Sequence, residues 1–208
     1  MEETKKKVLQ AADELFMRYG IRSVSMDDIA HHIGISKKTV YSAYADKDDL
    51  VKAVYHLHHG AWQSEISVIS GNASDAIEEL LMLSEHLRSK MGSMNPNVMY
   101  DLKKFHRAVW DEWTEYNGKV VKGMVCDTLN RGIREGVFRP EINVEILATL
   151  RMQQVEIGFN EQVFPPRDFR PDAVQVQLFD HFIYGLLTPE GMISYQSRKQ
   201  KLPETTQK

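Results

Sequence analysis

Apolar residues recur every three or four positions along almost the whole chain. In the first segment Val8, Leu15 and Phe16 belong to such a stripe, which ends at Gly20. This spacing places apolar side chains on one face of a helix, and a glycine directly after the stripe is a common helix end. No segment shows the strict alternation typical of a half-buried strand. The pattern therefore predicts an all-α protein.

Two short helices are predicted next, each preceded by a serine that can cap it. Ser25 precedes the first helix, with Asp28 three residues on as a capping-box partner, and Ser36 precedes the second. Gly34 lies in the short turn between them. A capped short helix, a glycine-containing turn and a second capped helix form the layout of a helix-turn-helix, here over residues 25–44.

Longer apolar stripes predict further helices in the rest of the chain. Asn95-Pro96 marks another helix start. The final residues, 196–208, are polar without an apolar period, so we expect a frayed or disordered tail. The predicted helices cover residues 47–70, 74–91, 107–134 (as one helix or two stacked ones), 143–159 and 172–187.

Composition limits the classes of function without choosing among them. The 208 residues are 42% hydrophobic and 26% charged, which is ordinary for a folded protein, and the net charge is −3. Residues 1–52 carry nine Lys and Arg against nine Asp and Glu. Nucleic-acid binding must therefore be argued from where the cations lie.

The chain carries few signs of export or of cysteine chemistry. Cys126 is the single cysteine, which excludes an internal disulfide and a cysteine-cluster metal site. The N-terminus is charged and lacks the apolar core of a signal peptide, and no stretch is long and apolar enough to cross a membrane. We expect a cytoplasmic protein.

The second helix of the motif carries side chains suited to nucleic acid. Lys37, Lys38 and Thr39 lie on its outward positions, together with the hydroxyl of Tyr41. These groups donate hydrogen bonds to phosphates, and Lys and Thr also reach base edges in a major groove. Two alternatives stay open: the lysines form a solvated face, and Tyr41 and Tyr44 are core residues.

The segment of about 5–55 resembles the N-terminal DNA-binding domain of the tetracycline-repressor-like (TetR/AcrR-type) family of transcriptional regulators. The resemblance rests on AADELFMRYG at 11–20, SMDDIAHHI at 25–33 and GISKKTVYSAYADKDDL at 34–50. It departs at Ala43, where the family usually has an aromatic residue or His. The positions that match the family's pattern across the turn and second helix are Gly34, Ile35, Ser36, Thr39, Val40, Tyr41, Tyr44, Lys47 and Leu50.

This resemblance implies a DNA-binding domain over 1–50 and a helical ligand-binding and dimerisation domain over 51–195. The family's C-terminal part forms a homodimer through a four-helix bundle, which points to 143–160 and 172–187 as the dimer helices; an internal core is the alternative for their stripes, which include Phe179 and Phe182. The implied DNA-binding residues are Ser25, Ser36, Lys37, Lys38, Thr39, Tyr41, Tyr44 and Lys47.

The family's C-terminal part also encloses a pocket for a small ligand. Apolar and adaptable side chains in this half are candidates to line it, although such residues are more often simply core. The sequence does not name the ligand and implies no other cofactor. The candidates are Met94, Met99, Phe105, Trp110, Trp113, Tyr116, Met124 and Met152.

The interpretation that follows is a ligand-responsive transcriptional regulator, most simply a repressor that binds a palindromic operator as a homodimer. The alternative is a helical small-molecule-binding protein without sequence-specific DNA binding. A metal bridging His56 and His59 is a weaker hypothesis, since no third ligand completes the spacing. No motif joins a nucleophile to a base, so we do not expect an enzyme.

Overall fold

The computed structural model describes residues 2–93, 95 and 97–200, and its regular structure is helical. The prediction of an all-α fold is confirmed. Within the described residues the exception is an isolated antiparallel bridge between Phe138 and Leu187. The helices are α1 (Glu2–Tyr19), α2 (Met26–His32), α3 (Lys37–Ala43), α4 (Lys47–Asn72), α5 (Ala76–Ser93), α6 (Asn97–Phe105), α7 (Arg107–Tyr116), a π-helical turn (Asn117–Val121), α8 (Lys122–Arg134), α9 (Val144–Ile157), α10 (Pro171–Leu186) and α11 (Pro189–Lys199).

The chain divides into two compact units. The N-terminal unit comprises Met1–Glu65 and Gly92–Glu115, and the C-terminal unit comprises Ile66–Met91 and Tyr116–Lys208. This differs from the predicted boundary at residue 50, because most of α4 and the later segment 92–115 also belong to the N-terminal unit. The N-terminal unit also includes α6 and most of α7, which lie far along the chain from the helix-turn-helix.

Ion pairs and hydrogen bonds join α6 and α7 to the first helices within the N-terminal unit. The His106 ring nitrogen Nδ1 lies 2.6 Å from an Asp48 carboxylate oxygen, and the Lys52 ammonium contacts Glu112. Asp101, which is 4% exposed, accepts a 2.8 Å hydrogen bond from the backbone N–H of Arg22 in the turn after α1. Helix α6 therefore supports the turn from which α2 starts.

The C-terminal unit has one apolar core, built from α5, α8, α9, α10 and α11. Gln175, 1% exposed, donates a 2.7 Å hydrogen bond to the carbonyl of Val155 and so fastens α10 to α9. Tyr195 of α11 is fully buried in the same core. The predicted disorder is therefore wrong for 196–199, which continue α11; residues 201–208 lie outside the described residues.

The side chains predicted to form a dimer stripe are divided between the interior and the surface. Phe179, Phe182 and Ile183 are between 0% and 8% exposed and belong to the core of the C-terminal unit. Ile146 and Leu150 of α9 are 63% and 47% exposed. The phenylalanine positions are thus core residues, because this face of α10 packs into the chain's own core.

Candidate nucleic-acid interface

The helix-turn-helix predicted over residues 25–44 is present, with both of its predicted caps. The Ser25 hydroxyl accepts a 3.2 Å hydrogen bond from the Asp28 N–H, and the Asp28 carboxylate accepts one of 2.7 Å from the Ser25 N–H. The Ser36 hydroxyl accepts a 3.1 Å hydrogen bond from the Thr39 N–H. These hydroxyls satisfy backbone donors at the helix starts, so both serines fix where α2 and α3 begin.

The turn between α2 and α3 depends on a glycine. Gly34 has a φ of +67°, in the left-handed region that disfavours other residues. The chain then reverses, and the N–H of Ile35 donates a 3.0 Å hydrogen bond back to the Ala30 carbonyl. Val40, fully buried, holds the inner face of α3 in the core. The turn and this anchor determine which face of α3 is exposed.

The outer face of α3 presents Lys37, Lys38 and Tyr41, all exposed, while Thr39 is half-buried. The Lys37 ammonium lies 2.9 Å from the carboxylate of Asp27 on α2, and this contact raises the pKa of Lys37. Lys38 has no ion pair or side-chain hydrogen bond with any described residue. Lys38 is therefore more available than Lys37 for contact with a phosphate or a base.

Tyr44 does not lie on this outer face. It is 3% exposed, its hydroxyl donates a 3.4 Å hydrogen bond to the carbonyl of Lys5 on α1, and burial raises its pKa. The Lys5 ammonium lies 5.1 Å from the centre of the Tyr44 ring. Tyr44 is thus a packing residue between α1 and α3, which corrects its predicted place among the DNA contacts.

The Lys47 ammonium also makes contacts within the protein. Its ammonium donates a 2.6 Å hydrogen bond to the carbonyl of Ile21 and lies 6.0 Å from the centre of the Phe16 ring. Burial lowers the pKa of Lys47, an effect opposed by the negative charge of Asp101. Among the described residues Ile21 supplies the hydrogen-bond acceptor of Lys47, which leaves two of the three ammonium hydrogens for another acceptor.

The structure adds residues that the sequence prediction missed. Lys5 is brought beside α3 through its contact with Tyr44, and Lys6, next to it, is exposed. The run of lysines at 5–7 was visible in the sequence, but its position near α3 follows only from the packing of α1. The pairing of Lys37 with Asp27 was equally hidden, since the two residues belong to different helices.

Comparisons with known proteins agree with this geometry. Residues 8–54, which include α2, α3 and the first turns of α4, match the family described as bacterial regulatory proteins, tetR family. The N-terminal unit therefore carries a segment that is similar to the regulators of this family. The match ends at residue 54 and does not extend to the C-terminal unit.

Individual relatives are distant. The uncharacterized HTH-type transcriptional regulator YvaF of Bacillus subtilis is 29% identical over 106 residues, covering 50% of this chain and 55% of YvaF. The HTH-type transcriptional repressor KstR2 of Mycobacterium tuberculosis is 25% identical over 150 residues, covering 68% of this chain and 72% of KstR2. This chain therefore matches little more than half of the length of YvaF. The crystal structure of a TetR-family regulator from Agrobacterium tumefaciens has a TM-score of 0.66 at 17% identity, covering 90% of this chain and 99% of that one, which shows the shared fold.

The predicted pocket residues are distributed over both units. Within the N-terminal unit Met99 and Trp110 are buried, and the Trp110 and Trp113 rings lie 4.7 Å apart between centres. Phe105 is 43% exposed and lies against the Arg22 guanidinium. In the C-terminal unit Met152 is buried, while Tyr116 and Met124 are half-buried; Met94 lies outside the described residues.

The metal hypothesis finds no support in the side-chain positions. His56 lies 3.4 Å from Glu112, and the His59 ring stacks on Tyr55 with 5.3 Å between ring centres. Across the described residues, no group of three or more His, Cys, Asp or Glu side chains is arranged to hold a metal ion. In the same part of the chain, no helix is long and apolar enough to span a membrane.

Proposed function

We propose that this protein is a transcriptional repressor that binds a palindromic DNA operator as a homodimer and releases it when a small molecule binds the C-terminal unit. The observation that carries the proposal is the outer face of α3. Its exposed lysines, Lys37 and Lys38, lie opposite a fully buried Val40 on a helix fixed by a serine cap. A short, rigidly anchored helix with a cationic outer face fits a DNA major groove.

The environment of each residue in the helix-turn-helix determines the role that we assign to it in DNA binding. We assign base or phosphate contacts to Lys37, Lys38 and Thr39, and a phosphate contact to the exposed hydroxyl of Tyr41. Lys47 contacts a phosphate through the ammonium hydrogens that Ile21 leaves available. Ser25 and Ser36 act through the caps that hold α2 and α3, and Lys5 and Lys6 extend the cationic surface along α1.

A second copy of the chain is expected to cover the outer face of α9. Three large apolar residues recur there at helical spacing, Ile146, Leu150 and Ile157, and they are 63%, 47% and 41% exposed. Exposed apolar side chains on one helical face indicate a protein interface. Two copies would place their α3 helices about one DNA turn apart, about 34 Å, which accounts for a palindromic operator.

The remaining parts of the proposal follow from the family. The C-terminal unit takes an effector that acts by binding the DNA-free conformation more tightly than the DNA-bound one. Helix α4 belongs to both units and connects the effector-binding part to the helix-turn-helix. We propose a cytoplasmic regulator without catalytic activity and without a cofactor beyond this effector.

The first test is selection from a random DNA duplex library with the purified full-length chain at near-physiological salt. Enrichment of a palindrome whose half-sites lie about one helical turn apart supports the proposal. A variant that combines Lys38→Ala with Thr39→Ala is the matched control and should enrich no sequence. Absence of enrichment by the folded, dimeric wild type would favour the alternative of a small-molecule-binding protein that does not read DNA.

A further inference from the structure

One arginine of the C-terminal unit is buried without a partner for its charge among the described residues. Arg151 on α9 is 5% exposed, and its Nη1 atom has no hydrogen-bond partner in that part of the chain. Its contacts are with two rings of α10: the guanidinium carbon lies 4.8 Å from the centre of the Phe179 ring and 6.0 Å from that of Phe182. Ring faces attract the positive charge but accept none of the in-plane N–H donors.

Other arginines in this unit are paired with carboxylates although they are more exposed. Arg88 makes a bidentate contact with Asp180, at 3.0 and 2.8 Å, and its side chain is 35% exposed. Arg198, 41% exposed, lies 2.8 Å from Asp75. An unpaired buried charge strongly destabilises a protein, so native proteins supply a counter-charge. For Arg151 the described residues supply none.

The neighbouring turn of α9 holds a second unsatisfied polar atom. Gln154 lies three residues after Arg151, about one helical turn along α9, and its Oε1 atom is buried without a hydrogen-bond partner among the described residues. Met152, one of the predicted pocket residues, follows Arg151 in the sequence and is 9% exposed. Arg151 therefore presents an unsatisfied donor beside the rings of α10, and Gln154 presents an unsatisfied acceptor one turn further along α9.

A second copy of the chain does not supply the missing partner. The residues that α9 leaves exposed, Ile146, Leu150 and Ile157, lie on its other face, whereas Ala148, Arg151 and Met152 face inward and are buried by the chain itself. A partner chain contacts the surface that is exposed in the monomer. A partner for the Arg151 charge must therefore enter the C-terminal unit.

We propose that the effector of this protein is an organic anion whose carboxylate binds Arg151 and whose apolar body lies against Phe179 and Phe182. Gln154 accepts a hydrogen bond from a donor group of the same molecule. The identification of this anion as the effector rests on the proposed function, whereas the anion site itself does not.

The test is thermal unfolding of the full-length protein with octanoate, dodecanoate and phenylacetate, each compared with its methyl ester. We expect at least one carboxylate to raise the melting temperature of the wild type, and its ester to have little effect. Arg151→Met keeps a long side chain without charge and should weaken binding of that carboxylate on the order of ten- to a hundredfold. Arg167→Met, at a position where the side chain is 84% exposed, is the matched control and should bind as the wild type does.

Thermal unfolding without ligand distinguishes a ligand-binding role of Arg151 from a structural role. If Arg151 is retained for an anion, Arg151→Met removes an uncompensated charge and should unfold at the same or a higher temperature than the ligand-free wild type. Arg151→Lys, which keeps the charge but not the bidentate geometry, should bind the carboxylate more weakly than the wild type. A large loss of stability in Arg151→Met with no ligand present would make Arg151 a structural residue and overturn the proposal.

Two results distinguish this inference from the proposed function. Carboxylate binding that depends on Arg151 but leaves operator DNA bound would keep the anion site and refute its role as effector site. Operator binding by a protein that none of the carboxylates stabilises, or that binds them equally after Arg151→Met, would overturn the anion site and leave DNA recognition intact.

Discussion

Replacing Asp27 by Asn is expected to tighten DNA binding, although Asp27 is not itself a proposed DNA contact. The Asp27 carboxylate lies 2.9 Å from the Lys37 ammonium, and both side chains are 59% exposed. When α3 enters the major groove, Lys37 must leave this carboxylate to reach a phosphate or a base. The carboxylate then remains next to the negatively charged DNA. Asn keeps the shape of the side chain, but it neither holds Lys37 in an ion pair nor leaves a negative charge beside the DNA.

The size of the gain follows from the exposure of the pair. Exposed ion pairs are weak because water and salt screen them, and removing such competition is expected to raise affinity about two- to fivefold per half-site. Lys37 then neutralises a phosphate without first losing an ion-pair partner within the protein. The slope of the logarithm of affinity against the logarithm of salt concentration should therefore steepen by about 0.9 for each subunit. The gain should shrink as the salt concentration rises, because salt screens charges that are exposed to solvent.

The assay is a titration of operator DNA at several salt concentrations for wild type, Asp27→Asn, Lys37→Ala and the double variant. A double-mutant cycle isolates the coupling between two side chains. If the gain acts through Lys37, Asp27→Asn should improve affinity in the presence of Lys37 and have a smaller effect in the Lys37→Ala background. Asp111→Asn is the matched control, because Asp111 is an exposed carboxylate paired with Arg107 at 2.8 Å elsewhere in the N-terminal unit.

Two outcomes would refute this reasoning. Unchanged or weaker affinity of Asp27→Asn, with a normal melting temperature, would show that the ion pair does not compete with DNA. An equal gain from Asp111→Asn would show that affinity responds to net charge and not to the availability of Lys37.

Three further predictions address other parts of the molecule. Lys38→Ala should lower the salt slope of DNA binding by about 0.9 for each subunit, and an unchanged slope would remove Lys38 from the phosphate contacts. Ile146→Asp combined with Leu150→Asp should give folded monomers by sedimentation, with operator affinity reduced on the order of a hundredfold; an intact dimer would place the interface elsewhere. Asp101→Ala should lower stability by about 1–3 kcal/mol by leaving the Arg22 N–H without its acceptor, a loss of about 2–4 °C in melting temperature per kcal/mol. A melting temperature like that of the wild type would show that water replaces this hydrogen bond.

Local chemistry made the helix-turn-helix predictable from the sequence. Caps act within three residues, and the conformation of Gly34 depends on the chain next to it, so Ser25, Ser36 and Gly34 determine helix ends without knowledge of the rest of the fold. The longer helices were found for a similar reason, since an amphipathic period is a property of a continuous segment.

Contacts between distant segments were not predictable in the same way. The stripe that contains Phe179 and Phe182 shows that one face of α10 is apolar, but not whether that face meets the chain's own core or a second copy. The inward position of Tyr44 is set by α1, 39 residues earlier in the sequence. The lack of a charge partner for Arg151 among the described residues was not predictable either, because a sequence does not show which side chains surround a buried arginine.

The charge distribution of the helix-turn-helix bears on how a small molecule can control DNA binding. Lys37 is paired with Asp27 and Lys47 donates to Ile21, so Lys38 is the residue among these three lysines whose charge is free of contacts with the described residues. Under the proposed function, a subunit with few available cations should hold DNA weakly, and the proposed homodimer should gain affinity only when both α3 helices meet the operator together. We therefore expect DNA binding to depend steeply on the spacing of the two helices. A coupling free energy of about 1–3 kcal/mol between the proposed effector and DNA would then be sufficient to release the operator, and one buried ion pair with an anionic effector is expected to supply that amount.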